Sequence, residues 1–370
     1  MNTTIATTTT SNDNNGSKKV LVIATTFPRW VNDTIPAFVY ELSKRLNSNR
    51  SNTIVLAPHH HGSKKIEILG GMKVYRYSYF WPTRYQKLVY GGGVLSNIKR
   101  NNLAKIQAPL LIVFGLYNSF KIVHKEKIEV IHAHWILPCG LMGALCKKIF
   151  GVRHVLTIHA GGLFALERLP FKTKIAGFVV NNSDEITVVS TYVKNRLMNM
   201  IPLAERELVN DKISVIPMGV NTGLFQDTID VKSLRSNYNL DSKIILLYIG
   251  RLADKKGVQY LINAMDIIYS KNKNVSLIIC GDGPLRDELQ HLVYNLQLNE
   301  AVKFKGYISD KEKIDYLRLS DILIVPSIVT EYGDTEGMPV VILEGLASGK
   351  PIVASDVSGV KDVIRDGENG

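Results

Sequence analysis

The sequence predicts an α/β protein of two doubly wound, Rossmann-like domains facing a central cleft. Three observations lead there. Short β-branched runs alternate with helical-period segments almost throughout the 370 residues. The runs are continuously apolar, as expected of parallel strands covered on both faces. They are also too numerous for one sheet, so two domains follow, with ligands at the carboxyl ends of their strands.

In chain order, residues 1–17 ("MNTTIATTTTSNDNNGS") are nearly all Thr, Asn and Ser and read as a disordered tail, because they offer too little apolar surface to offset ordering entropy. The first domain, 18–218, contains the strand runs "KVLVIAT", "NTIVLAP", "IEVIHAH", "RHVLTIH" and "EITVVS". The pattern weakens over "IPMGVNTGLFQDTIDVKS" (216–233), where a Pro and two Gly interrupt it, and the hinge is placed there. The second domain, 219–370, contains "KIILLYIG", "VSLIICG", "AVKFKG", "DILIVPS" and "KPIVAS", and ends at "DVIRDGENG" without a closing strand or cap, so it reads as incomplete.

Hydrophobic content of 45% and charged content of 21% are those of a soluble globular protein. No start resembling a signal peptide occurs, and the most apolar stretch, "APLLIVFGLYNSF" (108–120), falls short of a membrane span. The expected location is therefore the cytoplasm or, peripherally, the inner face of a membrane. Cys139, Cys146 and Cys280 are too few for a disulfide framework and suit a reducing compartment.

Charge is unevenly spread. Residues 1–218 hold 28 Lys and Arg against 12 Asp and Glu, whereas the remainder holds 17 against 21. From Lys64 to Lys125 eleven basic residues meet one acid, Glu67. The first half thus seeks an anionic partner: a phosphorylated substrate, an anionic membrane surface or a nucleic acid. No nucleic-acid-binding module accompanies the charge, so that partner is not expected.

The chemistry concentrates in "TEGMPVVILEGLASGKP". "DILIVPS" reads as a buried strand and "IVTEYGDTEG" as the loop after it. "MPVVILEGLAS" reads as a helix with Pro339 in its first turn, stopped by Gly349 and Pro351. Glu336 would then stand ahead of the helix and Glu344 one to two turns inside it, about 10 Å apart. The free N–H groups of Gly337 and Met338 would face a diphosphate between them. Such an arrangement suits a nucleotide sugar, one carboxylate taking sugar hydroxyls and the other ribose hydroxyls. The plainer alternative is a buried acid satisfied by its neighbours and a loop acid favoured by the helix macrodipole. Arg251, directly after a strand, and Lys256, just before the next helix, could neutralise a departing diphosphate or serve as salt-bridge partners. "IICGDGP" puts Gly281 and Gly283 in a third strand-end loop open to a nucleoside. Neither G-x-G-x-x-G nor G-x-x-x-x-G-K-[ST] occurs.

"GRLADKKG", "CGDGPLRDEL", "DTEGMPVVILEGLASGKPIVASDVSG" and "IPMGVNTGLF" together resemble the retaining GT-B glycosyltransferases of family 4, with Glu336 and Glu344 at the spacing of its E-x7-E motif. The resemblance implies that Arg251 and Lys256 hold the donor diphosphate, that Glu336 contacts the transferred sugar and that Glu344 contacts the ribose. It also implies no cofactor and no metal at the donor site. "VLTIHAGGLF" resembles the histidine-bearing strand end of the acceptor domain, which places His159 beside the reacting sugar. The sequence departs from the family at His159-Ala160-Gly161-Gly162, which lacks the acid of His-Gly-x-Asp, and at "FPRWVNDTIPAFVYEL", which replaces the Gly-Gly loop after the first strand.

Three further segments carry open readings. "VYRYSYFWPTRYQKLVYGGGVLSNIKRNN" interleaves rings and cations and fits an anionic membrane surface, a sugar-stacking acceptor groove or an edge strand with a solvated face. "HHH" (59–61) reads as an exposed loop, and His132, His134 and His159 lack the carboxylate or cysteine a zinc site would add. The expected function is transfer of a sugar from a UDP- or GDP-linked donor to a hydroxyl acceptor, either a saccharide or a lipid-linked glycan. The alternatives are another GT-B enzyme, such as a nucleotide-sugar epimerase or phosphorylase, and a non-catalytic membrane-peripheral nucleotide-binding module.

Overall fold

The computed structural model describes residues 17–370, except 32, 34–37, 49, 50, 92, 226–229, 239 and 241–243. The polar segment read as a disordered tail lies, but for Ser17, outside the described residues.

Two sheets organise the chain. The first comprises β1 (Lys18–Ile23), β2 (Ser51–Pro58), β3 (Ile66–Leu69), β4 (Met72–Tyr77), β5 (Val130–His134), β6 (Arg153–Ile158), β7 (Glu185–Val188) and β8 (Ile213–Val215), in the order β3-β4-β2-β1-β5-β6-β7-β8. All neighbours are parallel except β3 and β4. The second comprises β9 (Ile244–Ile249), β10 (Val275–Cys280), β11 (Val302–Gly306), β12 (Ile322–Val325) and β13 (Ile352–Ala354), all parallel, in the order β11-β10-β9-β12-β13.

Burial explains the parallel pairing. Every residue of β10 is buried, as are the last six of β2, and such strands satisfy their backbone only in a sheet covered on both sides. In each sheet the strand that comes first in the chain lies inside, with later strands running off to both sides: β1 lies between β2 and β5, and β9 between β10 and β12. Crevices open at the carboxyl ends of such switch strands. Arg251 follows β9 by two residues, and His159 follows β6 directly.

Several expectations change. The aromatic and basic stretch is mainly interior: Tyr77, Tyr79 and Arg76 are buried, and Arg76 pairs with Glu67 of β3 at 2.7 Å. Among its described aromatic and basic residues, Trp81, Arg84, Tyr85, Lys87 and Arg100 are exposed. The hairpin β3–β4 and the short β8 add strands to those expected. His59 is buried rather than exposed, its Nε2 lying 3.1 Å from the Ser63 carbonyl. The apolar run 108–120 is part of a longer helix, Asn102–Glu126, whose 25 residues are long and apolar enough to cross a membrane by length and composition alone. One face of that helix is packed: Ala104, Leu111, Gly115, Ile122 and Val123 are buried.

Candidate active site

The loop after β12 is built to hold Glu336. Thr335, fully buried, donates its hydroxyl to the Ile328 carbonyl at 2.9 Å, closing the loop on itself. A turn at Thr330–Asp334 is fixed by Gly333 N–H to the Thr330 carbonyl at 2.8 Å and Thr330 N–H to the Asp334 carbonyl at 2.9 Å. The loop after β9 is tied to it, since Ile328 N–H donates to the Lys255 carbonyl at 2.9 Å.

That tie brings two ammonium groups onto one carboxylate. Lys256 Nζ lies 3.1 Å from Glu336 Oε2 and Lys255 Nζ 3.4 Å from Oε1. Lys255 also donates to the Thr335 carbonyl at 3.3 Å and stands 3.8 Å from Asp334. Burial by itself would raise the Glu336 pKa, but Lys256 and then Lys255 overcome it and hold the carboxyl below its usual range. The salt-bridge alternative for Lys256 is therefore realised, with Glu336 itself as the partner. Lys255, the neighbour that the sequence reading passed over, shares the role; the adjacent Lys-Lys before Gly257 was the available signal.

Arg251 is half-buried, and burial followed by the charge of Arg100 lowers its pKa. Its carbonyl accepts from the Tyr248 hydroxyl at 3.0 Å. The Tyr248 pKa is raised by burial and next by the Glu336 charge, so the Arg251 backbone and Glu336 border one tyrosine. Three cations, Arg251, Lys255 and Lys256, thus accompany two carboxylates, Glu336 and Asp334, at the ends of β9 and β12.

The helix after Glu336 spans Val340–Ala347, with Pro339 at the N-cap (φ −69°, ψ 111°), one position earlier than expected. Glu344 lies in its second turn and accepts from Lys313 at 2.8 Å, Lys313 coming from the helix Asp310–Leu319. Sequence gave no sign of this partner, which lies 31 residues away. Gly281 and Gly283 have a packing reason to be glycine. A Cβ on Gly281 would come within 1.8 Å of the Gly250 carbonyl oxygen, and one on Gly283 within 2.2 Å of the Leu252 carbonyl oxygen.

The first domain meets this site through His159 and Ala160. A Cβ on Gly337 would be 2.9 Å from the Ala160 Cβ, and Met338 is buried in the first domain's core. His159 N-caps the helix Ala160–Glu167. Its Nε2 is 3.2 Å from His134 Nδ1, and its ring lies against Phe38 at 5.1 Å and Trp135 at 4.9 Å. Burial, then the nearby His132, lowers its pKa to about 3, so the ring is neutral at physiological pH. Gly337 thus meets Ala160 across the interdomain seam; His159 is the residue before Ala160, and Glu336, with Lys255 and Lys256 on it, the residue before Gly337.

Comparison with known proteins agrees with this geometry. Residues 36–224 match the family model described as Glycosyltransferase Family 4, and residues 230–370 the one described as Glycosyl transferases group 1. A glycosyltransferase of Methanocaldococcus jannaschii is 30% identical over 286 residues, covering 77% of this chain and 72% of that protein. The GDP-mannose-dependent alpha-(1-6)-phosphatidylinositol monomannoside mannosyltransferase of Mycolicibacterium smegmatis is 27% identical, covering 68% of this chain and 64% of its own length. The chain thus spans roughly two thirds of the length of these relatives. Among solved structures, Anabaena HepE in complex with UDP and glucose superposes with a TM-score of 0.66 at 18% identity, covering 95% of this chain and 84% of that one. Sucrose-phosphate synthase from Thermosynechococcus elongatus gives 0.70 at 19%, with 94% and 84% covered. Two parallel-sheet domains, the seam at Glu336 and matches that together run from residue 36 to residue 370 lead to one conclusion: the chain belongs to glycosyltransferase family 4, with the GT-B fold.

Proposed function

We propose that the chain is a retaining glycosyltransferase that moves a sugar from a UDP- or GDP-linked donor to a hydroxyl of a saccharide or lipid-linked acceptor, working at the inner face of a membrane. The observation that carries this reading is Glu336 held between Lys255 and Lys256 at the head of a helix, with the next residue, Gly337, against Ala160 of the other domain. The relatives' names, among them a GDP-mannose-dependent mannosyltransferase, support a nucleotide-sugar donor and a lipid acceptor.

In this reading Arg251 and Lys256 grip the diphosphate, with the free N–H groups of Gly337, Met338 and the following turn facing it. Glu336 accepts from hydroxyls of the transferred sugar, while Glu344 accepts from the ribose on the other side. Gly281 and Gly283 let the nucleoside approach the backbone. His159, neutral, offers a ring N–H or lone pair to the reacting sugar. The bond between the anomeric carbon and the phosphate oxygen breaks as the acceptor oxygen attacks from the same face. The departing phosphate oxygen takes the acceptor's proton, so no protein base is needed. Charge develops on the diphosphate in that step, and preorganised cations stabilise it more there than in the ground state. The donor site is expected to work without a metal.

The test is a thermal-shift panel with UDP, GDP, ADP and their sugar conjugates, followed by transfer assays. A ligand that binds only the native state raises the melting temperature. One nucleotide and its sugar conjugate should do so, and no shift with any of them would defeat the reading. Arg251→Ala and Lys256→Ala should each raise the barrier by about 2 to 4 kcal/mol. Near-unchanged transfer by both would remove the diphosphate assignment.

A further inference from the structure

The helix Asn102–Glu126 carries an apolar stripe on its outer side. Ile106, Val113 and Tyr117 are 64%, 60% and 65% exposed, and Phe114 is exposed beside them. Their spacing puts them on one face, over about 17 Å of helix. The most apolar window of this helix has a mean hydropathy of 1.4, yet only a third of it is buried. The patch extends to the end of the helix Leu141–Phe150, where Ile149 and Phe150 are exposed and the Phe150 ring meets Phe120 edge-on at 5.2 Å. Lys105, Lys121, Lys125 and Lys148 border it, all exposed. The only carboxylate of the long helix, Glu126, is turned to the sheet, where it accepts from Lys73 at 2.9 Å and from the Tyr75 hydroxyl.

We propose that this face docks on an anionic lipid bilayer, the helix lying flat with its stripe at headgroup level and its lysines on lipid phosphates. This deepens the membrane attachment proposed above and rests on that reading only for the source of the acceptor. An apolar face bordered by lysine, with no acid on it, has the pattern of an interfacial helix. A second copy of the chain fits poorly, because a two-fold contact would set lysine against lysine. The helix cannot leave the domain to span a bilayer, since Ala104, Leu111, Gly115, Ile122 and Val123 on its other side form part of the core.

The experiment is vesicle flotation of the full chain without nucleotide sugar. It compares phosphatidylcholine vesicles with vesicles of phosphatidylcholine mixed with phosphatidylglycerol, alongside transfer to a soluble acceptor. The chain should float with the anionic vesicles and be released by salt. Replacing Lys105, Lys121 and Lys125 together by Gln should weaken binding about a hundredfold, at about fivefold for each charge. The triple variant Ile106→Ser, Val113→Ser, Tyr117→Ser should abolish flotation yet keep the circular dichroism and soluble-acceptor activity of the unaltered chain. Three results would overturn the proposal: no flotation of the unaltered chain, equal binding to both vesicle types, or a stripe variant that floats normally. Loss of a dimer in the stripe variant would reassign the face to self-association. Because vesicle binding is read without donor, its failure leaves the glycosyltransferase reading standing, and the reverse also holds.

Discussion

Glu336 shows how one residue joins stability to chemistry. Two lysines neutralise it, and the charge they leave over, together with Arg251, is what a diphosphate would meet. Glu336→Gln would leave two ammonium groups in a half-buried loop without their shared counter-charge. Breaking one side of a largely buried ion pair costs about 3 kcal/mol, which urea unfolding would register. Lys255→Ala should cost less, because Lys256 still faces the carboxylate. In transfer assays Lys255→Ala should lower kcat more than it raises KM, if Lys255 acts by placing Glu336 and not by gripping the donor. A rise in KM alone would show a direct donor contact instead. Because the folded pKa of Glu336 is lowered, its stabilisation is present above the ordinary glutamate range near ~4.3. It is lost as pH falls through the lowered value, so acid below that point should erase the difference between the Gln variant and the unaltered chain.

At the scale of elements, β5, β6 and the residue after β6 carry four histidines, of which His134, His154 and His159 are buried and His132 is partly so. His132 Nε2 lies 2.8 Å from Thr157 Oγ1, and the rings of His132 and His134 are 4.4 Å apart. Burial holds His132 and His154 at about 4 and His159 at about 3. Unfolding restores the ordinary value near ~6.5, so between that value and about 4 the unfolded chain binds protons that the folded chain does not. Stability should therefore fall as pH drops across this window, by up to about 1.4 kcal/mol per pH unit for each histidine. Urea midpoints at several pH values check this, and His154→Gln should give a shallower slope; an unchanged slope would show that His154 does not contribute. These elements also show what a sequence can disclose. Parallel strands were legible because burial on both sides leaves continuous apolar runs such as "VSLIIC". The hairpin β3–β4 was not, because Arg76 sits buried in it against Glu67 of its partner strand, and a buried arginine reads locally as a surface residue. The carboxylates, Arg251 and Lys256 stood out because strand-end loops have recognisable boundaries. Lys313 did not, because its partnership with Glu344 exists only after two distant helices pack.

For the whole molecule the deciding feature is how closely the two domains meet. A Cβ on Gly359 would fall 2.4 Å from the Gly337 carbonyl oxygen and 2.5 Å from the Ser190 Cβ. Next to it, Thr191 N–H donates to Asp362 at 2.6 Å. The segment Ser358–Asp362 therefore packs on the first domain beside the seam where Gly337 meets Ala160. Ser358, directly before Gly359, holds a left-handed backbone (φ 53°), and the fit depends on Gly359 having no side chain. Gly359→Val would put the Gly337 carbonyl and the Ser190 side chain in the path of a branched side chain, and neither the carbonyl nor the Cβ can rotate away. The expected cost is about 1 to 3 kcal/mol of overpacking; parting the domains relieves the contact with Ser190 but not that with Gly337, which belongs to the same domain as Gly359. In the proposed reading the Gly337 N–H faces the diphosphate, so UDP or GDP affinity should weaken as the Gly337 carbonyl is displaced. In that reading transfer also needs His159 and Glu336 on one sugar, so it should fall far more. Small-angle scattering should show a larger radius of gyration for the variant. Unchanged dimensions with unchanged transfer would mean that the seam tolerates a side chain and that catalysis does not depend on this closeness of the domains.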